Sequence, residues 1–133
     1  MILAVLLLAA SVPQMSRAVW TDAASHLTWA AADNGSGVTN AQAEYYCRTL
    51  SLGGYKDWRL PAIDELNSLY GAETNDRGQH IRGPILLTGW QWSSSAGKHP
   101  GEYWALDFGD GARASVVAGD SGLNRALCVR ESR

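Results

Sequence analysis

The stretch TNAQAEYYCRTLSLGGYKDWRLP, residues 39–61, decides the fold, because it holds one complete helix and the entry to a second. Thr39 and Gln42 have the spacing of a capping box, in which each side chain satisfies a backbone N–H that the helix end leaves unpaired. Ala43, Tyr46, Cys47 and Leu50 then recur at i, i+3, i+4 and i+7, a single apolar stripe that turns Cys47 toward the core. Gly53-Gly54 is read as the left-handed terminator of this helix. A second helix opens after Pro61, with Asp64 and Glu65 at the positive end of its dipole. Its buried stripe is Ile63, Leu66, Leu69 and Tyr70, and Gly71 ends it.

Outward from this pair the chain reads as strand and turn. Toward the N-terminus, VWTDAASHLTW (residues 19–29) has apolar ends around a small polar middle, the pattern of a hairpin. Asp33 to Gly37 is a loop by its Asn and Gly content. Toward the C-terminus, Ala72 to Pro84 is polar without either period and reads as a long surface loop. Residues 89–93 alternate, and Trp104, Leu106 and Phe108 share one face. Asp110-Gly111 suits a turn into residues 113–118. In the last strand, Ala126 to Arg130, Cys128 takes one face and Leu127 and Val129 the other, as in a central strand apolar on both sides. Hairpin, helix, helix and antiparallel strands together predict an α+β class, with two helices packed on small antiparallel sheets.

A chain of 133 residues, 46% hydrophobic and 18% charged, has the size and composition of one packed domain, unusual in its six Trp. Met1 to Ala10 is an apolar run too short to cross a bilayer, and a small polar stretch ending at Ala18 follows it. Residues 1–18 therefore read as a signal peptide and 19–133 as the mature domain, secreted to the periplasm or beyond. The alternative, a buried N-terminal helix, lacks a helical stripe. Removing residues 1–18 takes away Arg17 alone, which leaves 10 of the 11 basic side chains against 13 acidic ones, a net charge of −3. Such a domain has no electrostatic footprint for a phosphate backbone, which argues against a nucleic-acid partner. No transmembrane segment is read in the mature chain. Cys47 and Cys128 are the only cysteines, and in an oxidising compartment pairing is the default over two free thiols.

The chain resembles the Lcl C-terminal domain family, found in bacterial secreted proteins, over nearly all of residues 19–133. The residues that carry the resemblance are Trp20-x-Asp22, Leu27-Thr28-Trp29, Ala43-x-x-Tyr46-Cys47-x-x-Leu50, the string from Gly53 through Asp57-Trp58-Arg59-Leu60-Pro61, Glu65-Leu66, Trp92-Ser93-Ser94-Ser95, Asp107-Phe108-x-Asp110-Gly111 and Cys128-Val129-Arg130. Two positions depart from the family's pattern. Asn40 stands where Trp is frequent, which is expected to loosen the helix packing, and Leu127 stands where Arg commonly precedes the last Cys. The resemblance implies a C-type-lectin-like fold related to the formylglycine-generating enzymes, with a disulfide from the first helix to the final strand. It further implies an adhesin-like role, in some members toward glycosaminoglycans, a ligand that a net charge of −3 does not favour here.

The expected function is binding rather than catalysis, with no metal or cofactor. An enzyme of the formylglycine-generating type needs reactive cysteines or copper, and both cysteines are committed to the bridge. His26, His80 and His99 have no metal-ligand spacing. The motifs of calcium-dependent lectins are absent, and Asp107 to Gly111 is read as a hairpin turn rather than a calcium loop. Trp20, Trp29, Trp58 and Trp104 are assigned to the core, Arg59 to structural hydrogen bonds and Asp57 to a local role. Trp90 and Trp92 are assigned to ligand stacking, with Lys98, His99, Glu102 and Tyr103 as hydrogen-bonding neighbours. The partner is then a glycan or a surface protein. An assembly domain, up to a homotrimer, is the alternative.

Overall fold

The computed structural model describes residues 18–132, so the expected signal peptide over residues 1–18, Ala18 apart, lies outside the described residues. Val19–Asp22 (β1) and Leu27–Ala30 (β2) form the hairpin read from the sequence, with Trp20 opposite Trp29. The order then runs Asn40–Arg48 (α1), Ile63–Ser68 (α2), Trp90–Ala96 (β3), Glu102–Leu106 (β4), Arg113–Val117 (β5), Asn124–Arg125 (β6) and Val129–Glu131 (β7). The strands make two sheets, one ordered β1-β2-β7 and one ordered β5-β4-β3-β6. The expectation of wholly antiparallel sheets fails at β6, which runs parallel to β3. This is an α+β fold.

The segment from Ala126 to Arg130 lies between two cores. Leu127 and Val129 enter one, with Trp29, Leu66, Leu69, Leu106 and Phe108. Ala126 and Cys128 enter the other, with Ala43, Cys47, Trp58 and Trp92. Alternate residues of an extended segment point to opposite sides, which is why α2 and α1 cover opposite faces of it. The Cys47–Cys128 disulfide, Cα atoms 5.4 Å apart, closes the second core. Trp29 and Trp58 are buried as expected, whereas Trp20 and Trp104 are only partly covered and pack on the rim of the first core.

At the start of α1 the capping box is present, with Gln42 N–H donating to Thr39 Oγ1 (3.2 Å) and Thr39 N–H to Gln42 Oε1 (2.9 Å). Its end differs from expectation. The helix stops at Thr49, whose hydroxyl donates to Tyr45 O (2.8 Å), four residues before Gly53-Gly54. The two glycines, both at positive φ, instead turn the chain so that Leu52 and Tyr55 exchange backbone hydrogen bonds. Asn40 does not loosen the helix either. It is buried and donates from Nδ2 to Ser93 O (2.9 Å), so the amide fastens α1 to β3. As expected, α2 opens after Pro61, with Ala62 as its cap; the Ala62 N–H donates to Glu65 Oε1, and Ile63 N–H finds the hydroxyl of Ser95 on β3.

The Asp57-Trp58-Arg59-Leu60-Pro61 string clamps the last strand. Arg59 exchanges backbone hydrogen bonds with Val129 (2.8 and 2.9 Å), and its guanidinium holds Glu65 through both nitrogens and reaches Glu131. Asp57 accepts from Arg130 Nε (2.6 Å), and the Arg130 guanidinium lies 3.7 Å from the centre of the Tyr55 ring. Trp58 is buried, and its Nε1–H donates toward Tyr55 O and Leu52 O. The residues most characteristic of the sequence therefore build the fold. The loop over residues 72–84 is also anchored, since Ile81 is buried and Arg82 Nη2 pairs with the Asp22 carboxylate at 2.6 Å.

Candidate functional site

Trp90 and Trp92 point to the same face of β3, but the structure treats them differently. Trp92 is fully buried beneath α1, with Nε1–H donating to Val38 O (2.7 Å). The expectation that it stacks on a ligand is corrected: α1 covers that end of the strand, and the indole belongs to the core. Trp90 lies beyond the helix. It is half-buried at the start of β3, its backbone N–H donating to Leu123 O (3.0 Å).

Beside Trp90 the sheet face is open. Trp90, Ala114 and Val116 line an open groove of about 370 Å³, and Asp120, Gly122, Leu123 and Asn124 close it on one side. Leu123 is two-thirds exposed, a large apolar side chain held at the surface. The loop that carries it is fixed by short-range bonds: Gly122 N–H donates to Asp120 Oδ1 (3.0 Å), and the buried Asn124 donates from Nδ2 to Asp120 O (3.0 Å). An apolar wall with a few convergent polar groups is the usual make-up of a small-ligand site.

The remaining expected residues form a separate group. Lys98, His99 and Glu102 sit at the far end of the β3–β4 hairpin, about 20 Å from Trp90 along a strand of this length. Glu102 Oε1 accepts from Ser115 Oγ (2.6 Å) and lies 3.2 Å from His99 Nδ1. The Ser115 hydroxyl first, and His99 second, hold the Glu102 carboxyl below the usual carboxylate range. Lys98 stands over the Trp104 ring at 6.0 Å. Glu102 and Trp104 occupy the opposite face of β4 from Tyr103, which pairs with Val116 on the groove side. The six expected residues therefore do not converge. Only Trp90 lines the groove, with Tyr103 further along the same face.

Ala114, Val116, Asp120, Leu123 and Asn124 were not singled out from the sequence. One signal for them was present: Leu123 is a lone apolar residue in the turn-forming run Gly119-Asp120-Ser121-Gly122-Leu123-Asn124.

A second groove, about 310 Å³, is lined by Ala18, Ala30, Ala31, Ala32, Tyr46, Leu50, Leu52, Leu86 and Asp33. Its one carboxylate is already engaged, since Asp33 accepts from Gly35 N, Thr88 N, Thr88 Oγ1 and Gln91 Nε2. No charged group is left there to orient a ligand. Asp107 and Asp110 accept from Gly109 N and Ala112 N (both 2.9 Å), so these carboxylates shape the β4–β5 turn. Among the described residues no group of three His, Cys, Asp or Glu side chains is placed to hold a metal ion. His80 packs on the Tyr70 ring, centroids 5.3 Å apart.

The family model described as the Lcl C-terminal domain matches residues 18–130. No curated protein matches the chain.

Proposed function

The chain belongs to the Lcl C-terminal domain family, and from that premise we propose that it is a secreted binding module, taking a glycan or another cell-surface component in the Trp90 groove without calcium and without turnover. The observation that carries this reading is the half-buried Trp90 in an open groove bordered by the exposed Leu123. An indole face of this kind suits the flat C–H face of a pyranose ring, and a few polar groups at the edge fix its orientation. The apolar run Met1 to Ala10 and the disulfide support a location outside the cytoplasm. Among the described residues no helix is long and apolar enough to cross a membrane. Binding is favoured over catalysis because both cysteines form the bridge and the groove is lined by one titratable group, Asp120.

The test is binding of the oxidised protein to a broad glycan panel with and without a chelator, repeated for Trp90→Ala. The expected result is saturable binding, indifferent to the chelator and lowered at least tenfold by the substitution. Binding that needs calcium, or that ignores the loss of Trp90, overturns the reading.

The assembly reading is supported by one feature. Among the described residues β5 has a neighbouring strand on one side only, and its last residue, Val117, is 61% exposed. An open strand edge of this kind is a template for pairing with another chain. It predicts a mass above the monomer in light scattering at micromolar concentration.

A further inference from the structure

We propose that the Trp90 groove selects a neutral saccharide and rejects sulfated or uronic ones; this rests on the reading of the groove as a glycan site. The sign of the charge in its lining decides this. Asp120 is the one charged residue in the lining, and it is exposed. Its Oδ1 accepts from Gly122 N–H, so the carboxylate is fixed at the edge, and among the described residues it makes no salt bridge. Asn124 donates from Nδ2 to Asp120 O, which leaves the carbonyl Oδ1 of that amide as an acceptor.

The cations of the lining strands are turned away or already engaged. Ala114 and Val116 line the groove, so Arg113 lies on the opposite face of β5. Asn124 lines it as well, and Arg125, the next residue of β6, is held by neutral acceptors: its Nε donates to Thr88 Oγ1 (3.0 Å) and its Nη1 to Gly122 O (3.3 Å) on the groove's edge loop. A sulfate or carboxylate placed over Trp90 meets the Asp120 carboxylate, and Arg125, the nearest guanidinium to the edge loop, is already occupied by Thr88 Oγ1 and Gly122 O. A hydroxyl there donates to that carboxylate, and a charge-assisted hydrogen bond is among the stronger ones. The apolar floor and the acceptor edge together fit a pyranose that carries hydroxyls and no acidic group.

The experiment presents immobilised neutral, sulfated and uronic oligosaccharides to the oxidised protein at two salt concentrations, alongside Trp90→Ala, Asp120→Asn and Leu123→Glu. Leu123 and Asp120 are exposed, so their variants keep the fold even if Trp90→Ala does not. The expected result is binding confined to neutral members and unchanged by added salt, because no ion pair is screened. Asp120→Asn is expected to weaken it roughly tenfold, the size of one charge-assisted hydrogen bond, and Leu123→Glu to abolish it. Binding of sulfated or uronic members that falls in Leu123→Glu overturns the charge selectivity and leaves the groove assignment standing. Binding of no member, or binding indifferent to both Trp90→Ala and Leu123→Glu, overturns the glycan reading and this inference with it.

Discussion

Asn40 is a single amide that replaces bulk with a directed bond. Buried at the first turn of α1, it links that helix to Ser93 of β3 through 2.9 Å, and its backbone N–H reaches Ala118 O at the same distance. Asn40→Ala leaves Ser93 O without this donor in a closed site and is expected to cost about 1–3 kcal/mol, read as a lower urea midpoint. Asp22 is the acid-sensitive residue. The Arg82 guanidinium, then the Ser25 hydroxyl and the Ala24 N–H, hold its carboxyl below the usual range. A carboxyl whose folded pKa is depressed adds stability above its unfolded pKa, about 3.9, and that contribution is lost as pH falls through the folded value. The stability of Asp22→Asn is therefore expected to fall less than that of the parent between about pH 5 and pH 3, followed by denaturant titration at each pH. At this scale the sequence was legible where a residue has a local partner, as with Thr39 and Gln42. It misled at Trp92, because period-2 alternation places Trp90 and Trp92 on one face and is silent on which end of the strand a helix covers.

Among the elements, the helices were readable because their stripes and caps lie within a few residues of each other. The end of α1 was not, since Gly53-Gly54 serves either a helix terminus or a two-residue turn, and the pairing of Leu52 with Tyr55 decides between them. The two-residue β6 escaped for a related reason. Asn124-Arg125 has no periodicity of its own and is a strand only through its parallel pairing with Trp90-Gln91. The alternation through Ala126 to Arg130 was readable, and it is the feature on which both cores depend. Joining α1 to that segment, the disulfide spans 81 residues, for which loop-closure entropy gives about 4–5 kcal/mol. Cys47→Ala/Cys128→Ala is expected to lose about 2–5 kcal/mol, measured as the shift of the thermal and denaturant midpoints against the oxidised parent.

Over the whole molecule, the groove was the least legible part, because it is assembled from β3, β5 and the 120–124 loop, segments that no motif connects. Four of the expected site residues lie at the hairpin end or beneath α1, and only the tertiary arrangement separates them from Trp90. Family membership and the α+β class, by contrast, follow from strings contiguous in sequence. The same arrangement has a mechanical consequence. β1 and β7 both flank β2, with Val19 opposite Ala30 at one end and Glu131 opposite Leu27 at the other. Tension applied at the two ends of the described chain pulls β1 and β7 in opposite directions along their axes, which loads the hydrogen bonds of that sheet in shear. Once the sheet gives way, the covalent bridge carries the load from Cys47 to Cys128, and only the segments outside it can extend, by about 110 Å at ~3.5 Å per residue. Pulling by atomic force microscopy is expected to show that short release in the oxidised protein and a several-fold longer one after reduction. Every groove residue lies between the two cysteines, so a ligand held there stays in an unstretched site while its tether is under force.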